Sequence, residues 1–167
     1  MAQVCRTCKT ALNPTQTNWT RHNITRGICR LCLLRLGDSK NTEILDAIDA
    51  PVLLMQETPR QVSAANKRAL DLFDKDLVNI EGHRGGQVFD CIHSFTEAGC
   101  GKDTNCESCK IKTAIVETFT TGNAFDAVST HLKIKKGDDT IIYAIQVSTE
   151  KVDNLALVRI DKYEKAK

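Results

Sequence analysis

Aromatic residues make up only 5% of this 167-residue chain, and it has a single tryptophan. Its core must therefore be built mostly from Val, Ile, Leu and Ala. No apolar run reaches the roughly 20 residues of a membrane-spanning helix, and the N-terminus lacks the apolar stretch of a signal peptide. The motifs of common catalysts are missing too: there is no phosphate-cradling P-loop, no G-x-S-x-G and no kinase or cyclase segment. These absences predict a cytoplasmic protein that binds no membrane and is not an enzyme.

What the chain has is cysteine, eight in all. Grouped into C-x2-C pairs, they read as metal ligands in a reducing compartment rather than as an extracellular disulfide framework. Cys5 and Cys8 form one pair, and Cys29 and Cys32 form another twenty residues on. Two such pairs offer four thiolates to a tetrahedral Zn²⁺, and a forty-residue segment has too little core to fold without it. Ile28, Leu31, Leu33, Leu34 and Leu36 supply apolar surface for a short terminal helix. Trp19 is expected in the core of this unit, and His22 at its surface, because four cysteines already fill the coordination sphere. Residues 1–40 carry seven Lys or Arg against a single acid, Asp38, whereas residues 41–167 carry sixteen basic and twenty acidic side chains. Such asymmetry fits either an anionic partner for the small unit, nucleic acid through Arg21, Arg26, Arg30 and Arg35, or docking of the unit on the larger one.

The second cysteine set lies in residues 88–122. Cys91, Cys100, Cys106 and Cys109 are spaced C-x8-C-x5-C-x2-C. Gly99 and Gly101 flank Cys100, letting the backbone approach a bulky inorganic centre and offer N–H groups to its sulfurs. From Lys110, the register Ile111, Ala114, Ile115, Thr118, Phe119 marks one face of a helix that Gly122 ends. With only one tight pair, the spacing favours an iron–sulfur cluster of the 4Fe-4S kind over a second zinc; plain thiols or disulfides are the remaining alternative. The acids Glu97, Asp103 and Glu107 oppose a lowered thiol pKa, which disfavours a reactive-cysteine enzyme.

Elsewhere, residues 37–42 read as a polar hinge and Glu43 to Ala50 as a short amphipathic helix, with Ile44, Leu45 and Ile48 on one side and Pro51 as its stop. PVLLMQ and QVSAAN read as strands joined by a TPR turn. Asn66 is a natural N-cap for a helix carrying Ala69, Leu70 and Phe73. Three strands close the chain: one alternating Val128, Thr130, Leu132 and Ile134, one with Ile141, Tyr143, Ile145 and Val147 on a face, and LALVRID.

The stretch from Val62 to Ala65 running into Asn66 and Ala69-Leu70, with this order of elements, resembles a PAS domain over residues 43–164. The GCG-x4-C-x2-C block resembles a subset of bacterial PAS sensors with cysteines inserted before the long helix, and residues 1–40, with Asn18-Trp19 between the knuckles, resemble treble-clef or zinc-ribbon modules. The resemblance implies an α+β fold: a PAS-like five-stranded antiparallel sheet with helices on one face, plus a small N-terminal zinc-binding module. The boundaries are 1–40 and 41–167, the latter with its cysteine-rich insert at 88–110. It further implies sensing, since PAS domains hold heme, flavin, small metabolites or iron–sulfur clusters between sheet and helices. Light-sensing flavin members carry N-C-R-F-L, whereas Asn105-Cys106 continues into Glu107-Ser108. Heme members commonly place a histidine on the long helix; Cys109 to Thr121 has none, and His83 and His93 lie upstream, as surface or supporting groups.

The expected function is a redox or gas sensor whose cluster-bearing region signals to the zinc unit, or to a partner that is a signalling protein or a second copy. Two alternatives are a scaffold with two structural zinc ions and a nucleic-acid-binding regulator.

Overall fold

A computed structural model of the chain describes residues 3–12, 24–37 and 42–167. Asn18, Trp19, Arg21, His22 and most of the hinge lie outside the described residues.

The strands β1 (Val52–Gln56), β2 (Gln61–Ala65), β3 (Phe125–Lys136), β4 (Asp139–Val152) and β5 (Leu155–Lys165) form one antiparallel sheet in the order β2-β1-β5-β4-β3. The last three are a meander. Gly137, at φ +62°, makes the tight turn between β3 and β4, where Lys136 pairs with Asp139. The helices are α1 (Arg30–Leu34), α2 (Thr42–Asp46), α3 (Lys67–Phe73), α4 (Gly85–Phe89) and α5 (Lys110–Thr121).

β1 is buried on both sides, and its side-chain alternation divides the interior in two. Leu53 and Met55 face a core shared with Ala69 and Phe73 of α3, Val88 and Phe89 of α4, and Ile111, Ile115 and Phe119 of α5. Val52 and Leu54 face a second core, with Leu157 of β5, Ile44 and Leu45 of α2, and Ile24, Ile28 and Leu36 of the N-terminal segment. Helices α3, α4 and α5 thus cover one face of the sheet, as the sequence predicts. The N-terminal segment and α2 cover part of the other.

Two polar contacts fix these layers. Asn66 is 1% exposed and uses its whole amide. Its Oδ1 accepts from the N–H of Ala69, capping α3, and from that of Val52, while its Nδ2 donates to the carbonyls of Leu45 and Ala50. Thr25, 2% exposed, donates to both carboxylate oxygens of Glu150 on β4, from its N–H at 3.1 Å and its hydroxyl at 2.6 Å. Among the described residues that contact ties the N-terminal segment to the sheet.

The sequence expectations need two local corrections. The helix expected over 43–50 ends at Asp46, because the Asn66 amide takes the Leu45 carbonyl and the N–H of Ile48 closes a turn on it. Leu31 and Leu34, which the sequence offers as apolar surface for the terminal helix, are 74% and 54% exposed. On α1 the inward positions belong to Cys32 and to the flanking Ile28 and Leu36, so Leu31 and Leu34 turn to solvent.

Candidate metal centres

The N-terminal segment brings Cys5, Cys8, Cys29 and Cys32 together, with all four sulfurs within 4.8 Å of one another. The Cys5 and Cys32 sulfurs are 3.8 Å apart and those of Cys8 and Cys29 are 3.6 Å apart. A tetrahedron with Zn–S bonds of about 2.3 Å has edges of about 3.8 Å, so the spacing suits a single ion. Gly27, at φ +83°, turns the chain into the second pair, and the N–H of Cys29 donates to the Cys5 sulfur at 3.2 Å. Hydrogen bonding to Thr10 brings the exposed Cys8 thiol down to about 6, and burial pushes Cys32 up to about 12. Four sulfurs are also the donor set that soft or borderline metals prefer. All eight cysteines are free thiols.

The second set surrounds a cavity of about 280 Å³ between α5, β3 and the 91–109 loop. Cys91, Cys100, Cys106 and Cys109 all line it. Each arrives by a different local device. α4 ends at Asp90 in the left-handed region, φ +60°, and Lys75 holds that end by bonding Asp90 at 2.8 Å and the Val88 carbonyl at 2.9 Å. Cys91 then bridges to Ile134 of β3. Gly99 and Gly101, at φ +79° and +82°, turn the chain on either side of Cys100. Asp103 caps the short turn Thr104–Cys106 by accepting from the N–H of Asn105, which holds its carboxyl below the usual range. Cys109 is the N-cap residue of α5. From that helix Lys112 donates to the Gly101 carbonyl at 2.9 Å, closing the loop over the cavity.

Two backbone N–H groups point at sulfurs: Gly86 at Cys100, 3.2 Å, and Gly101 at Cys106, 3.3 Å. A Cβ on Gly86 would lie 2.6 Å from the Cys100 sulfur, so only glycine permits this approach. Burial, followed by the neighbouring cysteines, raises the Cys91 thiol; Cys100 is raised chiefly by burial, with the Gly86 N–H and Arg60 opposing. As thiolates these sulfurs need a cation among them. The lining includes Arg60, Lys112 and Lys133 but no aspartate or glutamate, which favours an anionic occupant such as a thiolate-ligated metal centre. Among the described residues this set lacks the close clustering of the first, in which every sulfur lies within 4.8 Å of the others.

His93 lines the cavity with its Nδ1 3.7 Å from Asp103, while His83 keeps a buried Nδ1 without a hydrogen-bond partner. Gly86, Arg60, Arg84, Lys112 and the Thr25–Glu150 contact carry no local signal in the sequence. All of them depend on chain segments brought together only by folding.

No family model and no curated protein matches the chain. Solved structures do. A LOV protein from Rhodobacter sphaeroides is 11% identical, with 80% of this chain and 66% of that chain covered and a TM-score of 0.50. The present chain thus spans just under two thirds of that protein's length. The PAS domain of a LuxR-family transcriptional regulator from Burkholderia thailandensis, solved with ethanol, is 9% identical over 74% of this chain and 96% of that one, with a TM-score of 0.47. The PAS domain of nitrogen regulation protein NR(II) from Vibrio parahaemolyticus is 15% identical over 74% and 98%, with a TM-score of 0.44. The first match defines the class, a PAS/LOV-like fold, and at that identity it speaks for the fold alone. Among the described residues no helix is long and apolar enough to cross a membrane.

Proposed function

We propose that this protein is a cytoplasmic sensor of redox state or of a gas. In this reading, residues 41–167 hold a 4Fe-4S cluster on Cys91, Cys100, Cys106 and Cys109, and residues 1–40 hold a structural zinc on Cys5, Cys8, Cys29 and Cys32. The observation that carries it is the cavity ringed by four thiols, fed by two backbone N–H groups and lined by cations without a single acid. The chemistry a cluster supplies there is a reversible one-electron change and lability towards oxygen or nitric oxide.

The chain's own residues supply the rest. Cys91 and Cys109 anchor the loop to β3 and to the start of α5, so release of the sulfurs loosens the loop and frees the helix N-terminus. Met55 forms part of the cavity wall, and it alternates along β1 with Leu54, which packs beneath the N-terminal unit. A movement of the wall therefore reaches that unit and α2 through one strand. The output is the changed surface of residues 1–40, read by a protein partner, either a signalling protein or a second copy.

The test is a joint iron, zinc and acid-labile sulfide analysis, with a visible spectrum, on protein purified without oxygen. About four iron and four sulfide beside one zinc is the expected result. Two zinc ions and no colour would remove the sensing model.

A further inference from the structure

The guanidinium groups of Arg60 and Arg84 meet at Gly101. The Arg60 Nη2 lies 2.5 Å, and the Arg84 Nη1 2.8 Å, from where a Cβ on Gly101 would sit. Gly101 stands between two cluster-set sulfurs: it follows Cys100 and donates its N–H to Cys106. Like charges so close repel, and partial burial weakens the solvent screening that would relieve them. Burial and Arg84 both disfavour the charged form of Arg60, whereas Cys100, Cys109 and Cys106 favour it. Among the described residues neither guanidinium has a carboxylate within ion-pair distance. The charge that balances this pair therefore comes from the cysteine site.

We propose that Arg60 and Arg84 form a cationic bracket over Gly101 that offsets the charge of the cluster and so sets the potential at which the sensor is oxidised. The proposal rests on the cluster reading above. Four thiolates around an oxidised cubane leave two net negative charges, and uptake of one electron makes three. Positive charge fixed beside the site stabilises the more negative state more, and so raises the potential. Neither arginine ligates the metal; both act through their charge.

The experiment uses the full chain, reconstituted without oxygen, as wild type, Arg60→Gln, Arg84→Gln, Arg60→Lys and the double Gln variant. Iron and sulfide content is measured first, and then the midpoint potential, by following the reduced state's electron paramagnetic resonance. Each Gln variant is expected to show a lower potential than wild type, the double variant the lowest, and Arg60→Lys a value near wild type. Arg68→Gln, whose side chain bonds Asp49 on the surface at 3.1 Å, is the control and should shift nothing. A double variant with full iron and sulfide and an unchanged potential overturns the proposal and leaves the cluster reading intact. Equal shifts for Arg60→Lys and Arg60→Gln overturn it as well, because the cause would then be shape rather than charge. If a Gln variant takes up no iron, Arg60→Lys should still do so, and equal failure of both counts against the bracket. Wild type with zinc in place of iron defeats both readings, and the metal analysis separates that outcome from the others.

Discussion

Gly85 and Gly86 are neighbours at the start of α4, and replacing each by alanine separates the needs of the helix from those of the cavity. Alanine is favoured over glycine in a helix by about 1 kcal/mol, so both substitutions begin with the same gain. At Gly85 the new methyl meets only a Phe89 ring carbon, at 3.8 Å, an ordinary contact. At Gly86 it meets the Cys100 sulfur at 2.6 Å and its Cβ at 3.0 Å. Overpacking of this kind costs about 1–3 kcal/mol when nothing yields. The cheapest relief turns the Cys100 side chain away, which loses the 3.2 Å bond from the Gly86 N–H, worth about 1 kcal/mol, and carries the sulfur out of the cavity. Gly85→Ala should therefore melt at or slightly above wild type and take up full iron and sulfide. Gly86→Ala should be about 1–2 kcal/mol less stable than Gly85→Ala, a few degrees in melting temperature for a chain of this size, and should fail to retain iron. The assays are thermal melts and metal analysis on anaerobically prepared protein. A Gly86→Ala protein as stable as Gly85→Ala and as rich in iron would refute the placement of Cys100 as a ligand.

Two further outcomes are expected. Glu150→Ala leaves the buried Thr25 N–H and hydroxyl without their carboxylate; at about 1.5–3 kcal/mol for a hydrogen bond to a charged group, the N-terminal unit should detach before the sheet unfolds. Limited proteolysis should then cut within residues 1–41 several-fold faster than in wild type, and an unchanged rate would contradict the Thr25–Glu150 contact as the tie. In the metal-free chain, Cys8, exposed and lowered to about 6, should be alkylated first at pH 7, and Cys32, raised to about 12, last. The Cys8 rate should fall about tenfold per unit below pH 6 as its thiolate is protonated, and added zinc should protect both. Peptide mass spectrometry after a timed alkylation checks the order.

What the sequence made legible was local. Asn66 was readable as a cap because its signal sits three residues from the N–H it binds. The α5 register was readable because Ile111, Ala114, Ile115, Thr118 and Phe119 repeat on one face, and all five are buried. The β3–β5 meander declared itself through alternation and short turns. The first cysteine quartet followed from two close pairs. What stayed hidden depends on contacts across the fold. α4 opens with two glycines, which propensity argues against, and its reason lies fourteen residues away in the sulfur of Cys100. Arg60 sits in a turn and Arg84 at a helix start, and nothing in either segment announces that both reach Gly101. Glu150 is one charge among several in its stretch of sequence, and only the fold sets it against Thr25, 125 residues earlier.

The division of β1 between two cores makes the coupling between the cysteine sets testable. Met55 touches the cavity, and Leu54, the next residue, packs beneath the N-terminal unit at 3% exposure. Pairing with β5 runs unbroken from Val52 to Met55 and ties the two residues together on that edge, whereas the register with β2 shifts between them. Leu54→Ala removes the packing on the outer side alone. The expected cost is about 2–4 kcal/mol for a truncated buried leucine, while the cavity, its cysteines and its metal content stay as they are. In wild type, oxidising the second site should change hydrogen exchange in residues 24–36 and 42–50. In Leu54→Ala that response should fall sharply, although the cluster bleaches at the same rate. Should the variant respond as wild type does, the signal leaves the cavity by another route, through α5 and the outer strands, and β1 is only a wall between two independent sites.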